Sequence, residues 1–430
     1  MKYKHMKQIV CFAAAYLLTV LLVYSQAENE KKQVKLSLNE YLARVTRGNL
    51  GYIAEQFNVG IAEAQLRAAK VLPDPEITLA YSNNEDQTML MGQGIDAGIS
   101  YPFSLGNKRG ANVSLAKSQK DLAQSAVDAY LQNLRAEATL SYYSAIRLKN
   151  LLQLQKDIYD RLHKLAVADS LRLKTGTINA TDALQTALEA RSQKNQVFQA
   201  EADFQSSLIQ LSQLQGKIVA DSVLLPSGEF SLHQKDFNLS QLIQSALEHR
   251  SDLQLAIRNK EVSEKQIRLI QAGRAFEFSL DAGYSHSTIV KNEIAPAPAF
   301  NSYGAGITIP LKFSNLNRGE IIAAKSALDQ SETQLRDVRL QITGEVTQSW
   351  YNFQAKEKQL LHYKSGLTDD AAKILEARTY AYQRGETGLI DLLNAQRMFS
   401  ELQIEYEESL YQYTEALVLL EKAAGIWDME

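Results

Sequence analysis

Gly98-Ile99-Ser100-Tyr101-Pro102-Phe103 recurs as Gly306-Ile307-Thr308-Ile309-Pro310-Leu311, shifted by 208 residues at every position. The marks around it repeat in the same order. Lys108-Arg109-Gly110 returns as Asn317-Arg318-Gly319, Ala116-Lys117-Ser118 as Ala324-Lys325-Ser326, and Gly176 with Asp182 as Gly385 with Asp391. The step from Gly110 to Gly176 is 66 residues, and so is the step from Gly319 to Gly385. Such self-similarity means one structural unit used twice. An arm length preserved while the letters change points to a geometric requirement.

Each arm reads as helix. Ala111 to Thr175 contains no glycine or proline, the residues that most destabilise a helix interior. In the second arm Ala324, Leu328, Ser331, Leu335, Val338 and Ile342 step by four and three, the rhythm of a supercoiled seam. Gly344 and Gly366 interrupt that arm. At about 1.5 Å per residue an arm reaches roughly 100 Å. The chain then returns through Asn179 to Gln215 and Leu389 to Ala424, again free of both breakers. Helical stretches also precede the arms, Leu38 to Val71 and Leu239 to Ala272, and Gly216 to Asn238, with Pro226 and Gly228, reads as an irregular joint.

Between leading helix and arm, each repeat switches to period two. Ile77, Leu79 and Tyr81 alternate with Thr78, Ala80 and Ser82, and Ile95 to Phe103 follows the same rule. Phe276 to Tyr284 and Tyr303 to Leu311 do so in the second repeat. These are four strands with one apolar and one small or polar face, as in a transmembrane barrel; a soluble sheet packed on a helix has the same pattern. Four strands cannot close a barrel, and an open sheet in lipid leaves edge groups unpaired. Two chains would supply eight strands around a filled interior, and three would supply twelve around a lumen.

The chain of 430 residues is 45% hydrophobic and 22% charged, enough to bury a large core. Lys2, Lys4 and Lys7 followed by the apolar run Ile9 to Val23 and the small residues of Tyr24-Ser25-Gln26-Ala27 read as an export leader over residues 1–26. No second apolar run is long enough for a helical span. The single cysteine, Cys11, falls inside the leader, so thiolate metal sites, disulfides and cysteine nucleophiles are excluded from the mature chain. Removing three lysines moves the formal charge from −3 to −6, which gives no basic face for nucleic acid. The histidines are scattered without ligand spacing, and no nucleophile elbow or phosphate loop occurs. An enzyme is therefore not expected, nor a cofactor.

The duplicated plan resembles the TolC family of outer-membrane efflux proteins. Thr175-Gly176-Thr177-Ile178-Asn179-Ala180-Thr181-Asp182 is similar to the first helix-turn-helix tip of that family, and Tyr382-Gln383-Arg384-Gly385-Glu386-Thr387-Gly388-Leu389-Ile390-Asp391 to the second. The likeness runs from about Leu38 to Gly425. It implies a mainly α protein with a transmembrane β-barrel portion, in which a homotrimer builds a twelve-stranded barrel on an α-helical barrel. It implies the outer membrane and periplasm as location, the passive exit duct of a tripartite efflux system as function, and a periplasmic adaptor and inner-membrane pump as partners. The expected organisation is repeat 1 over 27–215 (hairpin about 75–103, arm about 109–175, return 179–215), a linker over 216–238, repeat 2 over 239–425 (hairpin about 276–311, arm about 318–384, return 389–424) and a tail over 426–430. The competing reading is a periplasmic coiled-coil rod or adaptor.

Asp182 and Asp391 each lie six residues after a tip glycine. Three copies would ring the entrance with carboxylates, which attract cations; each aspartate also suits a helix N-terminus by dipole and capping alone. By resemblance, Asp391 narrows the pore and Tyr382 belongs to a latch, whereas Asn394 replaces a second family aspartate and Thr387 a gate arginine. Gly176, Thr177, Ile178, Gly385, Thr387, Gly388 and Leu389 are the expected tip turns and adaptor-docking residues. Leu72-Pro73-Asp74-Pro75-Glu76 is similar to a segment of the heavy-metal branch, which admits metal cations as cargo.

Overall fold

The computed structural model describes residues 32–83, 88–217, 222–230, 236–311 and 317–427; the leader expected over residues 1–26, with Cys11, and the last three residues of the tail lie outside them. The chain divides into two compact units. One combines the chain up to Ile53 with Leu131–Ala246 and the chain from Glu345; the other combines Ala54–Tyr130 and Leu247–Gly344.

In the first unit, β1 (Lys32–Leu36) pairs in parallel with β4 (Ser222–Pro226), from Lys32 opposite Ser222 to Leu36 opposite Pro226. The stretch expected to be an irregular joint therefore contains a strand that ties the inter-repeat segment to the start of the described chain. Helix α1 (Leu38–Gly48) opens with a capping box: the Glu40 amide donates to Ser37 Oγ and the Ser37 amide to Glu40 Oε2. The leading stretch expected as one helix is two, because Asn49 is extended between α1 and α2 (Leu50–Ala69). A methyl group on Gly48 would collide with the Gln215 carbonyl, so the backbone approaches too closely for any other residue. Asn49 Nδ2 donates to the Leu214 carbonyl at 3.0 Å, and its Oδ1 accepts from the Tyr52 amide at 2.9 Å. Thus one side chain anchors the break and caps α2. The second repeat breaks at the matching place, with Arg250 extended between α5 (Leu239–His249) and α6 (Ser251–Ala272).

The second unit holds an antiparallel sheet of β2 (Glu76–Asn83), β3 (Gln93–Ser104), β5 (Glu277–Ser287) and β6 (Phe300–Thr308), in the order β2-β3-β5-β6. The register sorts the side chains by face. Ile77, Ile99, Ala282 and Ala305 form one row, and Leu79, Ala97, Tyr284 and Tyr303 the next on the same face. The opposite face carries Thr78, Gly98, Gly283 and Gly304, then Ala80, Asp96, Ser285 and Ser302. The apolar face is bare: Ile77 is 73%, Leu79 77% and Tyr303 82% exposed. β6 stops at Thr308, short of the expected Leu311, where Pro310 has no N–H to continue a ladder.

Helix α3 (Lys108–Lys174) is the first arm and runs unbroken, and α4 (Ala180–Leu214) returns. The second arm, expected as a long helix over about 318–384 with Gly344 and Gly366 as interruptions, is two helices, α7 (Arg318–His362) and α8 (Thr368–Arg384), joined by a π turn over Tyr363–Leu367 in which Gly366 has φ 115°. Helix α9 (Leu389–Ala424) returns. Asn107 and Asn317, at the entrances to the two arms, both adopt positive φ (57° and 55°), a conformation asparagine tolerates better than most residues. Among the described residues no helix is long and apolar enough to cross a membrane.

Candidate functional site

The tips are built twice from one recipe. At the end of α3, Gly176 has φ 74°, its amide donates to the Leu173 carbonyl and the Thr177 amide to the Arg172 carbonyl. At the end of α8, Gly385 has φ 77°, with its amide on the Tyr382 carbonyl and the Glu386 amide on the Ala381 carbonyl. Both are Schellman closures, in which a glycine beyond the helix lets two amides satisfy the last carbonyls. Three residues on, Asn179 (φ −79°, ψ 164°) and Gly388 (φ −77°, ψ 159°) take the same N-cap conformation.

That shared geometry puts Asp182 and Asp391 at the third position of α4 and α9. Here an acid meets the positive end of the helix dipole. Their settings differ. Asn179 Oδ1 caps the Asp182 amide at 2.8 Å, and Asp182 is half-buried. Gly388 has no side chain to cap with; Thr387 Oγ1 instead donates to Asp391 Oδ2 at 2.7 Å, and Asp391 stays exposed. Thr177 exchanges a hydroxyl hydrogen bond with Thr175 at 2.8 Å, and Ile178 is half-buried. Leu389, expected at the docking surface, is 5% exposed and packs inward. The exposed apolar side chain at this tip is its neighbour Ile390, at 65%.

Tyr382 is brought into contact with two residues that the sequence did not single out. Its hydroxyl donates to Asp169 Oδ1 at 3.1 Å, and the Arg172 guanidinium lies 4.8 Å from its ring centroid and 3.6 Å from Asp169 Oδ1. The Asp169 side chain is 1% exposed. Burial raises its carboxyl above the usual carboxylate range, against the opposing pull of the Tyr382 hydroxyl and Arg172. Burial and then the Asp169 charge push the Tyr382 phenol up to about 12, and Asp182 adds to the upward push on both groups. Asp169 and Arg172 sit on the first arm and Tyr382 on the second, so this cluster bridges the two hairpins. Around it Ile158, Leu162, Ala190, Leu389, Leu392 and Leu393 form a buried apolar core from α3, α4 and α9. Asp169 continues the Ile158, Leu162, Leu165 seam at heptad spacing. An acid at a seam position was the available signal.

Among the described residues no group of three or more His, Cys, Asp or Glu side chains gathers that could hold a metal ion. Nothing at the tips resembles a nucleophile and its base; what the arrangement offers is a bridge of hydrogen bond and charge between two hairpins, with carboxylates beside the turns.

The sequence model of the family described as "Outer membrane efflux protein" matches residues 53–217 and again 242–426. The chain is 21% identical over 397 residues to the cobalt-zinc-cadmium resistance protein CzcC of Cupriavidus metallidurans, covering 91% of this chain and 90% of that one. It is 22% identical over 386 residues to the outer membrane protein TolC of Vibrio cholerae, covering 87% and 86%. The fold matches the CmeC outer membrane channel of Campylobacter jejuni with a TM-score of 0.75 at 16% identity, over 90% of this chain and 85% of that one.

Proposed function

Because the chain belongs to the outer membrane efflux protein family, we propose that three copies join edge to edge into one duct, with a twelve-stranded barrel at one end and six helical tips at the other. The chain is an outer-membrane efflux channel that extends into the periplasm, the exit duct of a tripartite efflux system. The trimer rests on the sheet. Its four strands end at β2 and β6, and an unpaired strand edge in hydrocarbon costs several kcal/mol per group. Pairing with neighbouring copies removes both edges, and the bare face that carries Ile77, Leu79 and Tyr303 then faces lipid.

The tips supply the gate and the docking surface. The Tyr382 hydroxyl on Asp169 ties the second hairpin to the first and holds the entrance closed. Asp391, exposed beside Thr387, presents its charge to arriving solutes. A periplasmic adaptor docks on the apolar side chains left bare near the tips, among them Leu171, Leu184 and Ile390, and an inner-membrane pump supplies the energy. Metal cations are the cargo class we favour. CzcC is named for cobalt, zinc and cadmium resistance, and the small-residue face of the sheet carries Asp96 and Asp281 while the four strands contain no lysine or arginine. A lumen of one sign concentrates the opposite ion.

The test is planar-bilayer recording of the purified mature protein across a salt gradient. Small, discrete conductance steps with a cation-selective reversal potential support the reading. Protein that never inserts favours the periplasmic rod instead.

A further inference from the structure

The two arms are built alike except at one place: α3 crosses its full length as one helix, whereas the second arm is interrupted at Tyr363–Leu367. We propose that this π turn is the pivot on which the second tip swings when the duct opens. The inference rests on the latch reading above.

Four observations meet at the turn. Gly366 holds φ 115° and ψ 4°, outside the helical region, so the backbone is already bent where the axis would turn. None of the five residues of the turn is buried, so bending there exposes little new apolar surface. Solvent-open clefts abut the break on both sides. One of about 570 Å³ is lined by His362, Tyr363 and Leu367 with Leu402 of α9; another of about 530 Å³ is lined by Leu154 and Asp157 of α3, Thr368 and Ala372 of α8 and Phe399 of α9. Both are clefts open to solvent, so no close-packed interior resists displacement at the break. Finally, the segment beyond the break is held at its far end, by Tyr382 on Asp169.

The lever is long enough to matter. From Gly366 to Gly385 is about 28 Å of helix at 1.5 Å per residue, so a bend of about 15° carries the tip turn about 7 Å. Helix α9 runs unbroken past the pivot and follows by smooth curvature, as long helices do. The first hairpin, with no break in its arm, serves as the fixed jamb.

The mature chain has no cysteine, which leaves it free for paired nitroxide labels. One pair, Lys174→Cys with Glu386→Cys, spans the two tips; a reference pair, Lys149→Cys with Lys358→Cys, lies on the other side of the turn. All four positions are exposed. Labelled chains are diluted into unlabelled ones so that distances are read within a single chain. Releasing the latch with Asp169→Ala/Tyr382→Phe should lengthen or broaden the tip distance by about 5 Å or more and leave the reference pair unchanged. Adding Gly366→Ala, whose new methyl meets nothing within 4 Å but disfavours the positive φ on which the turn is built, should change the tip distance from that of the latch-released chain. Gly344→Ala, in α7 with the same open surroundings, should not. Amide exchange of the unsubstituted chain should be faster at Tyr363–Leu367 than in α7 or α8, a readout that needs no variant. A tip displacement unaffected by Gly366→Ala overturns the pivot. So do a reference pair that moves as far as the tips, a released tip that does not move, and a turn as protected as its flanking helices. Failure of the duct reading appears separately, as absence of conductance.

Discussion

Tyr382→Phe removes one oxygen and keeps the ring, which makes its consequence calculable. The lost hydroxyl donates to Asp169 Oδ1 at 3.1 Å, and the carboxylate it leaves behind is 1% exposed, with Arg172 3.6 Å away. A hydrogen bond to a charged group contributes about 1.5–3 kcal/mol, the upper part applying when the remaining partner stays buried. The ring contact with Arg172 and the packing against Leu389 and Leu393 survive, so the change falls on the hydrogen bond alone. If that bond exists only in the closed tip, the closed-to-open ratio falls by between about tenfold and a hundredfold. Single-channel recording of wild type and variant under the same voltage and salt measures it as open occupancy. An open occupancy within about twofold of wild type would refute the reasoning, since the bond would then be absent or present equally in both states.

Asp169→Asn tests the charge itself. The Asp169 carboxyl is raised in the folded protein, so in the interval between its ordinary and raised values the native chain binds more protons than the unfolded one, and stability falls as pH rises. The wild type should therefore lose stability relative to Asp169→Asn as pH climbs through that interval and show a flat difference above it, read by thermal melts in a pH series. Gly48→Ala should cost about 3 kcal/mol, because its methyl collides with the Gln215 carbonyl. Gly176→Ala, with only the φ 74° penalty and open space around it, should cost about 1 kcal/mol; denaturant melts that rank them in reverse would contradict the packing account. Asp391→Ala, at an exposed site, should shift stability by less than about 0.5 kcal/mol while lowering the cation-to-anion permeability ratio, measured from reversal potentials.

The parts of the fold legible in the sequence were those set by local periodicity. Alternation from Ile77 to Tyr81 or Phe276 to Tyr284 needs only neighbouring residues, and the structure places strands on both; the shared tip glycines likewise announce turns whose hydrogen bonds are local. What escaped was decided by distant chain. The break at Asn49 comes from Gly48 meeting Gln215, far along the sequence and with no proline to mark it. The β1 and β4 pair joins two five-residue strands, too short for a period to show. Asp169 and Arg172 looked like ordinary charges on a long helix, because the tyrosine that gives them meaning is 213 residues from Asp169. Leu389 was grouped with the exposed turn although the α9 stripe carries it inward. The helical interruption was visible as Gly366, but Gly344 gave the same warning and lies within regular α7; composition cannot tell a tolerated glycine from a required one.

The claim on which the account turns is that one sheet of four strands is completed only by its neighbours. Native mass measurement of the purified mature protein in mild detergent addresses it without any variant. The account predicts a single species at three times the mass of the mature chain. A monomer that remains folded and monodisperse would contradict it, because β2 and β6 would then tolerate their open edges.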